Sequence, residues 1–155
     1  LFRSPESGSG SSIALDVMYE KFFTLQMSYF GRLGGTIFGS TNDRYYTLNG
    51  GINYYFDPVG TSAQISGPTA DIYIAPSFRY YVGGHLGGSY LVYNTPSKTK
   101  GDFLVELGGQ AGAIYAYSEK ISLRGELGFS RSLGTLVSST EIKFFAGIVY
   151  LLGNK

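Results

Sequence analysis

Between Asp71 and Tyr93 the even positions carry no charge: Ile72, Ile74, Pro76, Phe78, Tyr80, Val82, Gly84, Leu86, Gly88, Tyr90 and Val92. The odd positions hold Asp71, Ser77, Arg79, His85 and Ser89. Side chains of a strand point alternately to opposite faces, so one face is apolar throughout and the other is mixed polar. The same split runs down the chain. Asp16, Arg32, Arg79, Glu106, Arg124, Glu126 and Lys143 fall on the polar parity of their segments, and Arg131 is the exception, beside an expected loop.

The alternation predicts a series of strands. Ile13, Leu15, Val17 and Tyr19 share a face opposite Asp16 and Glu20, and Glu20-Lys21 reads as a tight turn. Phe23, Leu25, Met27 and Tyr29 then oppose Thr24, Gln26 and Ser28, with the pattern continuing through Arg32 and Thr36. Ser40-Thr41-Asn42-Asp43 is a turn cluster. From Arg44 to Phe56 the parity runs straight through Asn49-Gly50. A hairpin there would leave two strands of about five residues, short of the ~9–11 that cross a bilayer, so one continuous strand is expected. Asp57 to Ala70 is the longest connection. Asp71 to Tyr93 reads either as one long strand or as two broken at Gly83-Gly84. Thr95 to Gly101 is a polar loop, Asp102 to Tyr117 a strand and Ser118-Glu119-Lys120 a turn. A strand from Ile121 to Ser130, a loop from Ser132 to Thr140 and a strand from Glu141 to Leu152 complete the chain.

Composition decides which way such strands face. The chain has 155 residues, 43% hydrophobic, with 23 Gly, 14 Tyr, 11 Phe, no Trp and no Cys. Its mean hydropathy is +0.02, and no run approaches the ~20 apolar residues of a membrane-spanning helix. Alternating strands average out in such a measure and remain compatible with a barrel. Strands this many, this long and this rich in glycine do not suit a two-layer soluble core. The expected fold is all-β: a closed, antiparallel, up-and-down transmembrane barrel of eight strands, apolar side to lipid and polar side to the lumen. Seven segments are clear. The eighth is either the break at Gly83-Gly84 or a first strand of which Leu1 to Arg3 is the remnant. Residues 1–12 form a flexible segment or that remnant, residues 13–152 the barrel and residues 153–155 a tail. Net charge is +1, which gives nucleic-acid binding no electrostatic support. The absence of cysteine removes disulfides and thiolate metal sites.

The chain resembles the small outer-membrane barrels of the OmpA/OmpX type, in texture nearest to outer-membrane β-barrel families of Bacteroidota. The resemblance rests on Tyr19-Glu20-Lys21-Phe22-Phe23, on Asn53-Tyr54-Tyr55-Phe56 before a long turn, and on the run from Tyr115 to Leu123. The last strand is similar to the assembly signal of such barrels at Gly147, Tyr150 and Leu152, and departs from it at Phe145. The resemblance implies export to the bacterial outer membrane and folding by the barrel-assembly machinery. It implies contact with the bilayer and its lipopolysaccharide, and no particular activity. Aromatics at strand ends (Tyr19, Phe22, Phe23, Tyr54, Tyr55, Phe56, Tyr115, Tyr117 and Tyr150) suit an interfacial girdle.

Candidate chemistry lies on the polar face. Asp16, Gln26, Asn49, Asn53, Arg79, Glu106, Gln110, Arg124, Glu126 and Lys143 form the expected lumen network, nearly balanced in charge. Charges enclosed in a closed barrel must pair, and their pairing fixes register. The alternative is a switchable network gating a narrow pore. His85, the one histidine, shares parity with Ser77 and Ser89, as a lipid A-modifying enzyme with a serine nucleophile would need. The spacing matches no such motif, and a lone His among glycines reads first as a polar lumen or rim residue. No metal or cofactor is expected. The reading is a non-enzymatic outer-membrane barrel with a filled polar lumen, a structural or accessory subunit of a larger envelope complex. A narrow gated pore, a lipid A-modifying enzyme and a soluble lipid-binding barrel are the alternatives.

Overall fold

The computed structural model describes residues 12–39, 44–56, 63–66, 71–74, 77–94, 99–118, 121–135 and 138–150. These form nine strands and no helix: β1 (Ser12–Phe22), β2 (Met27–Gly39), β3 (Arg44–Phe56), β4 (Ala63–Ser66), β5 (Asp71–Ile74), β6 (Phe78–Asn94), β7 (Thr99–Ala116), β8 (Ile121–Gly134) and β9 (Ser138–Tyr150). Seven of them make one antiparallel up-and-down sheet in the order β1-β2-β3-β6-β7-β8-β9, and β4 pairs with β5 in a separate hairpin. The sheet curls into a half-barrel. Its curvature brings β8 opposite β1 across the interior, where Arg124 Nη1 donates to Glu20 Oε2 at 2.7 Å. One rim carries Ser12, Arg44, Thr99 and Ser138; we call it upper. The lower rim carries Phe22, Met27, Phe56, Phe78 and Tyr150.

The two faces are inverted relative to a water-soluble sheet. Among the described residues the buried set holds four apolar side chains (Phe30, Tyr55, Tyr81 and Leu104) against fifteen polar or charged ones. Thirty-five large apolar or aromatic side chains are exposed, almost all on the convex face. The outward charges stand near strand ends: Lys21 next to the lower end of β1, Arg44 at the upper end of β3 and Arg131 three residues from the upper end of β8.

Glycines position the inner face. Six inward glycines are each the cross-strand partner of a large inward side chain: Gly34 of Asp16, Gly51 of Phe30, Gly83 of Asn53, Gly87 of Asn49, Gly108 of His85 and Gly112 of Tyr81. In every pair a Cβ on the glycine would lie 2.6 Å or less from the partner side chain. The large side chain therefore folds sideways over its glycine, and the small–large pairing sets which residues stand opposite one another.

Several boundaries depart from the pattern. The turn expected at Glu20-Lys21 lies at Phe23–Gln26, where Phe23 and Thr24 N–H both donate to the carbonyl of Met27. Strand β1 thus continues to Phe22, and Glu20 faces inward. Strand β3 is continuous through Asn49-Gly50, as expected. Strand β6 runs unbroken through Gly83-Gly84, because Gly83 and Gly84 pair in register with Asn53 and Ile52 on one side and with Gln110 and Gly109 on the other. No eighth strand arises there. The expected connection Asp57–Ala70 and the start of the next segment contain the β4–β5 hairpin, too short in sequence to announce itself. The loop expected over Ser132–Thr140 shrinks, because β8 extends to Gly134 and β9 starts at Ser138. Residues Leu1–Arg3 and Leu152 lie outside the described residues.

Candidate functional site

The inner face carries one connected polar network that touches all seven strands of the sheet. In its lower half, Glu20 on β1 accepts from Tyr55 Oη at 2.8 Å, Asn53 Nδ2 at 2.7 Å and Ser28 Oγ. Arg124 on β8 bridges Glu20 at 2.7 Å and Glu126 at 2.9 Å, and its Nε donates to Tyr81 Oη at 2.6 Å. Glu126 takes a second cation, Arg32 on β2, at 2.7 Å, and a proton donor, Tyr81, at 2.6 Å. The guanidinium of Arg32 lies 4.5 Å from the ring centroid of Phe145, and that of Arg124 lies 4.3 Å from Tyr81. Charge-assisted bonds and aromatic faces together satisfy these buried ions.

From Asn53 the network climbs. Gln110 Nε2 donates to Asn53 Oδ1 at 2.8 Å, and Gln110 Oε1 lies 3.2 Å from His85 Nδ1. His85 Nε2 lies 3.4 Å from Glu106, which also accepts from Lys143 at 2.6 Å and from Tyr45 Oη at 2.9 Å. Lys143 is shared with Glu141 at 3.2 Å. Below all of this, Arg79 donates to the carbonyl of Leu25 at 2.6 Å and lies over Tyr55 and Phe22. The rings of Phe22, Tyr55 and Tyr81 follow one another at 5.0 and 5.2 Å, each tilted against the next, at the lower end. The upper half is open. It contains a cavity of about 640 Å³ lined by Asp16, Arg32, Asn49, His85, Ser130 and Lys143 among others. Two of these, Asn49 through Oδ1 and Ser130 through Oγ, bury an atom with no hydrogen-bond partner.

Nine of the ten residues expected in the lumen face inward. Asn49, Asn53, Arg79, Glu106, Gln110 and Glu126 are buried, and Asp16, Arg124 and Lys143 are partly so. Gln26 is the correction. It lies in the exposed Phe23–Gln26 turn, and its side chain accepts from Tyr54 at 3.3 Å. Asp16 stands apart from the network: among the described residues it makes no hydrogen bond or ion pair, and its carboxylate leans over Gly34. The pattern missed Glu20, which the misplaced turn hid. It also left out Arg32, although parity put that residue on the polar face, and Tyr45, Tyr55 and Tyr81, whose hydroxyls reach the carboxylates.

Of the aromatics expected in a girdle, Tyr19, Tyr54, Phe56, Tyr115, Tyr117 and Tyr150 are exposed on the convex side, and Phe23 stacks near Tyr29 at the lower turn. One is a correction. Tyr55 is fully buried inside, whereas Phe22 is exposed at the lower end of β1 with its ring 5.0 Å from that of Tyr55. Gly147 is exposed with open space around it. His85 faces Gln110 and Glu106, and no serine is among its hydrogen-bond partners. Ser77 lies at an exposed bend at the foot of β6. Among the described residues no three His, Cys, Asp or Glu side chains converge as a metal site. No family model, curated protein or solved structure matches this chain.

Proposed function

We propose that this chain is the wall of an integral outer-membrane β-barrel: a non-enzymatic barrel with a side-chain-filled lumen, serving as a structural or accessory subunit in the envelope. One observation carries the reading. The buried side is polar and the exposed side is apolar. In water, leaving so many Val, Leu, Ile, Phe and Tyr side chains exposed would forgo tens of kcal/mol at ~1.5–3 kcal/mol each. That exceeds the roughly 5–15 kcal/mol that stabilises a domain. In lipid the same face is the favourable one, and only a sheet that satisfies its own backbone can stand there.

The height of the apolar band agrees. Tyr46, Tyr90 and Phe103 are in register or nearly so across β3, β6 and β7 near the upper rim, and Phe56, Tyr80 and Phe78 with Tyr115 form a lower row. Between Tyr80 and Tyr90 the outward residues are Val82, Gly84, Leu86 and Gly88. Ten residues at ~3.3 Å each, tilted by ~40° as barrel strands are, rise about 25 Å. That is the height of the apolar band of outer-membrane barrels, bounded by aromatic girdles. Closure as eight strands, kinship with the OmpA/OmpX-like barrels, contact with lipopolysaccharide, delivery by the barrel-assembly machinery and membership of a larger outer-membrane complex belong to the same proposal.

Flotation tests it. The chain refolded with phosphatidylcholine liposomes should float with them, stay bound through a urea wash and migrate differently on gels with and without boiling. A chain that remains monodisperse in detergent-free buffer and does not float would overturn the reading in favour of a soluble lipid-binding barrel. A second reading has its own observation. The upper cavity stops at the Arg32–Glu126–Arg124 layer, as a vestibule stops at a plug, which suits a narrow gated pore.

A further inference from the structure

The donor and acceptor directions of the inner network can be assigned from its lower end. Glu20 is paired with Arg124 at 2.7 Å, and an ionised carboxylate only accepts. The Asn53 atom 2.7 Å from it is therefore the amide nitrogen, which turns Asn53 Oδ1 towards Gln110. Gln110 donates to that oxygen through Nε2 at 2.8 Å, so its own Oε1 is the atom that His85 Nδ1 meets at 3.2 Å. Nδ1 consequently carries a proton. On the other side of the ring, Nε2 faces Glu106 Oε1 at 3.4 Å. Both nitrogens of the chain's one histidine thus point at acceptors. The neutral ring bonds Gln110 and turns a lone pair on Glu106; only the doubly protonated ring bonds both.

Glu106 has another cation, and that cation has another acid. Lys143 Nζ lies 2.6 Å from the same Oε1 and 3.2 Å from Glu141, while Tyr45 Oη holds the other oxygen of Glu106 at 2.9 Å. The remaining charged groups lining the cavity are Asp16 from β1, Arg32 from β2 and Glu126 from β8, and Arg32 is held by Glu126 at 2.7 Å. Lys100 and Asp102 of β7 stand opposite Tyr93 and Leu91, well above His85. Lys143 is therefore the lining cation with a second carboxylate already in reach. His85 itself lines the cavity, so a proton reaches it from the water above.

We propose that His85 is a proton-operated latch on the upper cavity. With the ring neutral, Lys143 closes on Glu106. A second proton on the ring gives Glu106 to His85 and frees Lys143 for Glu141. Glu141 precedes Lys143 on β9, which runs downward, so the exchange lifts the ammonium towards the upper rim. Histidine is the side chain that ordinarily changes charge between pH 5 and 8, which sets the range in which the latch works. Every group in the exchange lies on the inner face, so the proposal holds whether the outer face meets lipid or water.

Two measurements on the refolded protein in detergent test this. Selective nitrogen-15 labelling of histidine gives the resonances of one imidazole. At pH 8 they should be those of the Nδ1–H tautomer, and at pH 5.5 those of the imidazolium. The Nε2–H tautomer at pH 8, or one protonation state throughout, would overturn the proposal. Lys143→Met then reads the exchange. At pH 8 it removes the cation that covers Glu106, whereas at pH 5.5 the charged His85 remains to cover it. The loss in urea midpoint, followed by circular dichroism, should be roughly twofold larger at pH 8. Equal losses at the two pH values would sink the latch. In a His85→Gln background the difference should vanish, and its persistence would assign the pH dependence to another group. The first two readings leave His85 in place, so they decide the matter even where His85→Gln does not refold. A chain that fails to float with liposomes strikes the membrane reading alone, and the same measurements are then made in buffer.

Discussion

At the scale of single residues the inner face is organised around three carboxylates, Glu20, Glu106 and Glu126, and they differ in what they hold. Glu126 holds two guanidiniums, Arg32 and Arg124, and a tyrosine hydroxyl, with its side chain fully enclosed. Replacing it by Gln keeps the shape and removes the charge, which leaves Arg124 with Glu20 as its carboxylate and Arg32 with the Met18 sulfur and the Phe30 and Phe145 rings. Breaking a buried pair in this way costs about 3–5 kcal/mol. Glu126→Gln should therefore lower the stability of the refolded barrel by roughly that amount, read as the urea midpoint of its boiling-sensitive gel shift. Glu141→Gln is the control. Its carboxylate is partly exposed and shares Lys143 with Glu106, so the change should cost about 1 kcal/mol or less. Equal effects of the two variants would mean that the buried layer does not set the stability. Parity along the strands already separates these inward residues from the outward ones. What parity does not contain is depth or partner. Glu126 and Glu141 have the same parity relation to their neighbours, and only the curl of the sheet encloses one and leaves the other near an edge.

At the scale of elements the glycines do two different jobs. Those facing inward make room for the side chain across the strand pair. Those facing outward at Gly31 and Gly125 have nothing within 4 Å of an added Cβ. Gly87→Ala would drive a methyl to 2.0 Å from Asn49 Oδ1 and 2.2 Å from the Leu48 carbonyl. Backbone is among the atoms met, so the strand pair itself must shift, at about 1–3 kcal/mol. Gly125→Ala should be neutral or slightly stabilising, since it removes chain entropy from the unfolded state by ~0.4–1 kcal/mol. Thermal unfolding of the two variants in the same detergent decides the matter, and a destabilised Gly125→Ala with a neutral Gly87→Ala would refute the small–large pairing. The seven long strands were legible because each repeats its alternation over eleven residues or more. The turn after β1 was not. Lys21-Phe22-Phe23 carries no turn residue, and the alternation merely changes phase, so the boundary slid by a few positions and took Glu20 out of the lumen. The three successive aromatics Tyr54-Tyr55-Phe56 look alike in sequence, yet only Tyr55 falls on the inward parity, where its hydroxyl finds Glu20. Pairing partners such as Gly108 and His85 are distant in sequence, and nothing local records their register.

At the scale of the whole molecule the interior is divided across its height. The lower half is filled by Glu20, Arg124, Glu126, Tyr81, Tyr55, Phe22 and Arg79, whereas the upper half keeps its cavity. The dividing layer depends most on Arg124, which ties β1 to β8 through Glu20 and Glu126 and fills the space above Tyr81. Truncating it removes the ligature and the volume together, and leaves Glu20 without a cation and Glu126 with Arg32 alone. Water would then enter from above and reach the Tyr55 ring. On the proposed membrane-barrel reading, the unmodified protein in planar bilayers should show no stepwise conductance, because Arg124 and the rings below it leave no continuous aqueous path. Arg124→Ala should open small steps that select cations over anions, since it uncovers the negative Glu20. Lys143→Ala alters the charge of the vestibule without touching the dividing layer, and should stay silent. Steps in the unmodified chain would make the layer a working gate rather than a plug. Silence in Arg124→Ala, with the protein still inserted, would move the seal down to the Phe22, Tyr55 and Tyr81 rings and to Arg79 beneath them.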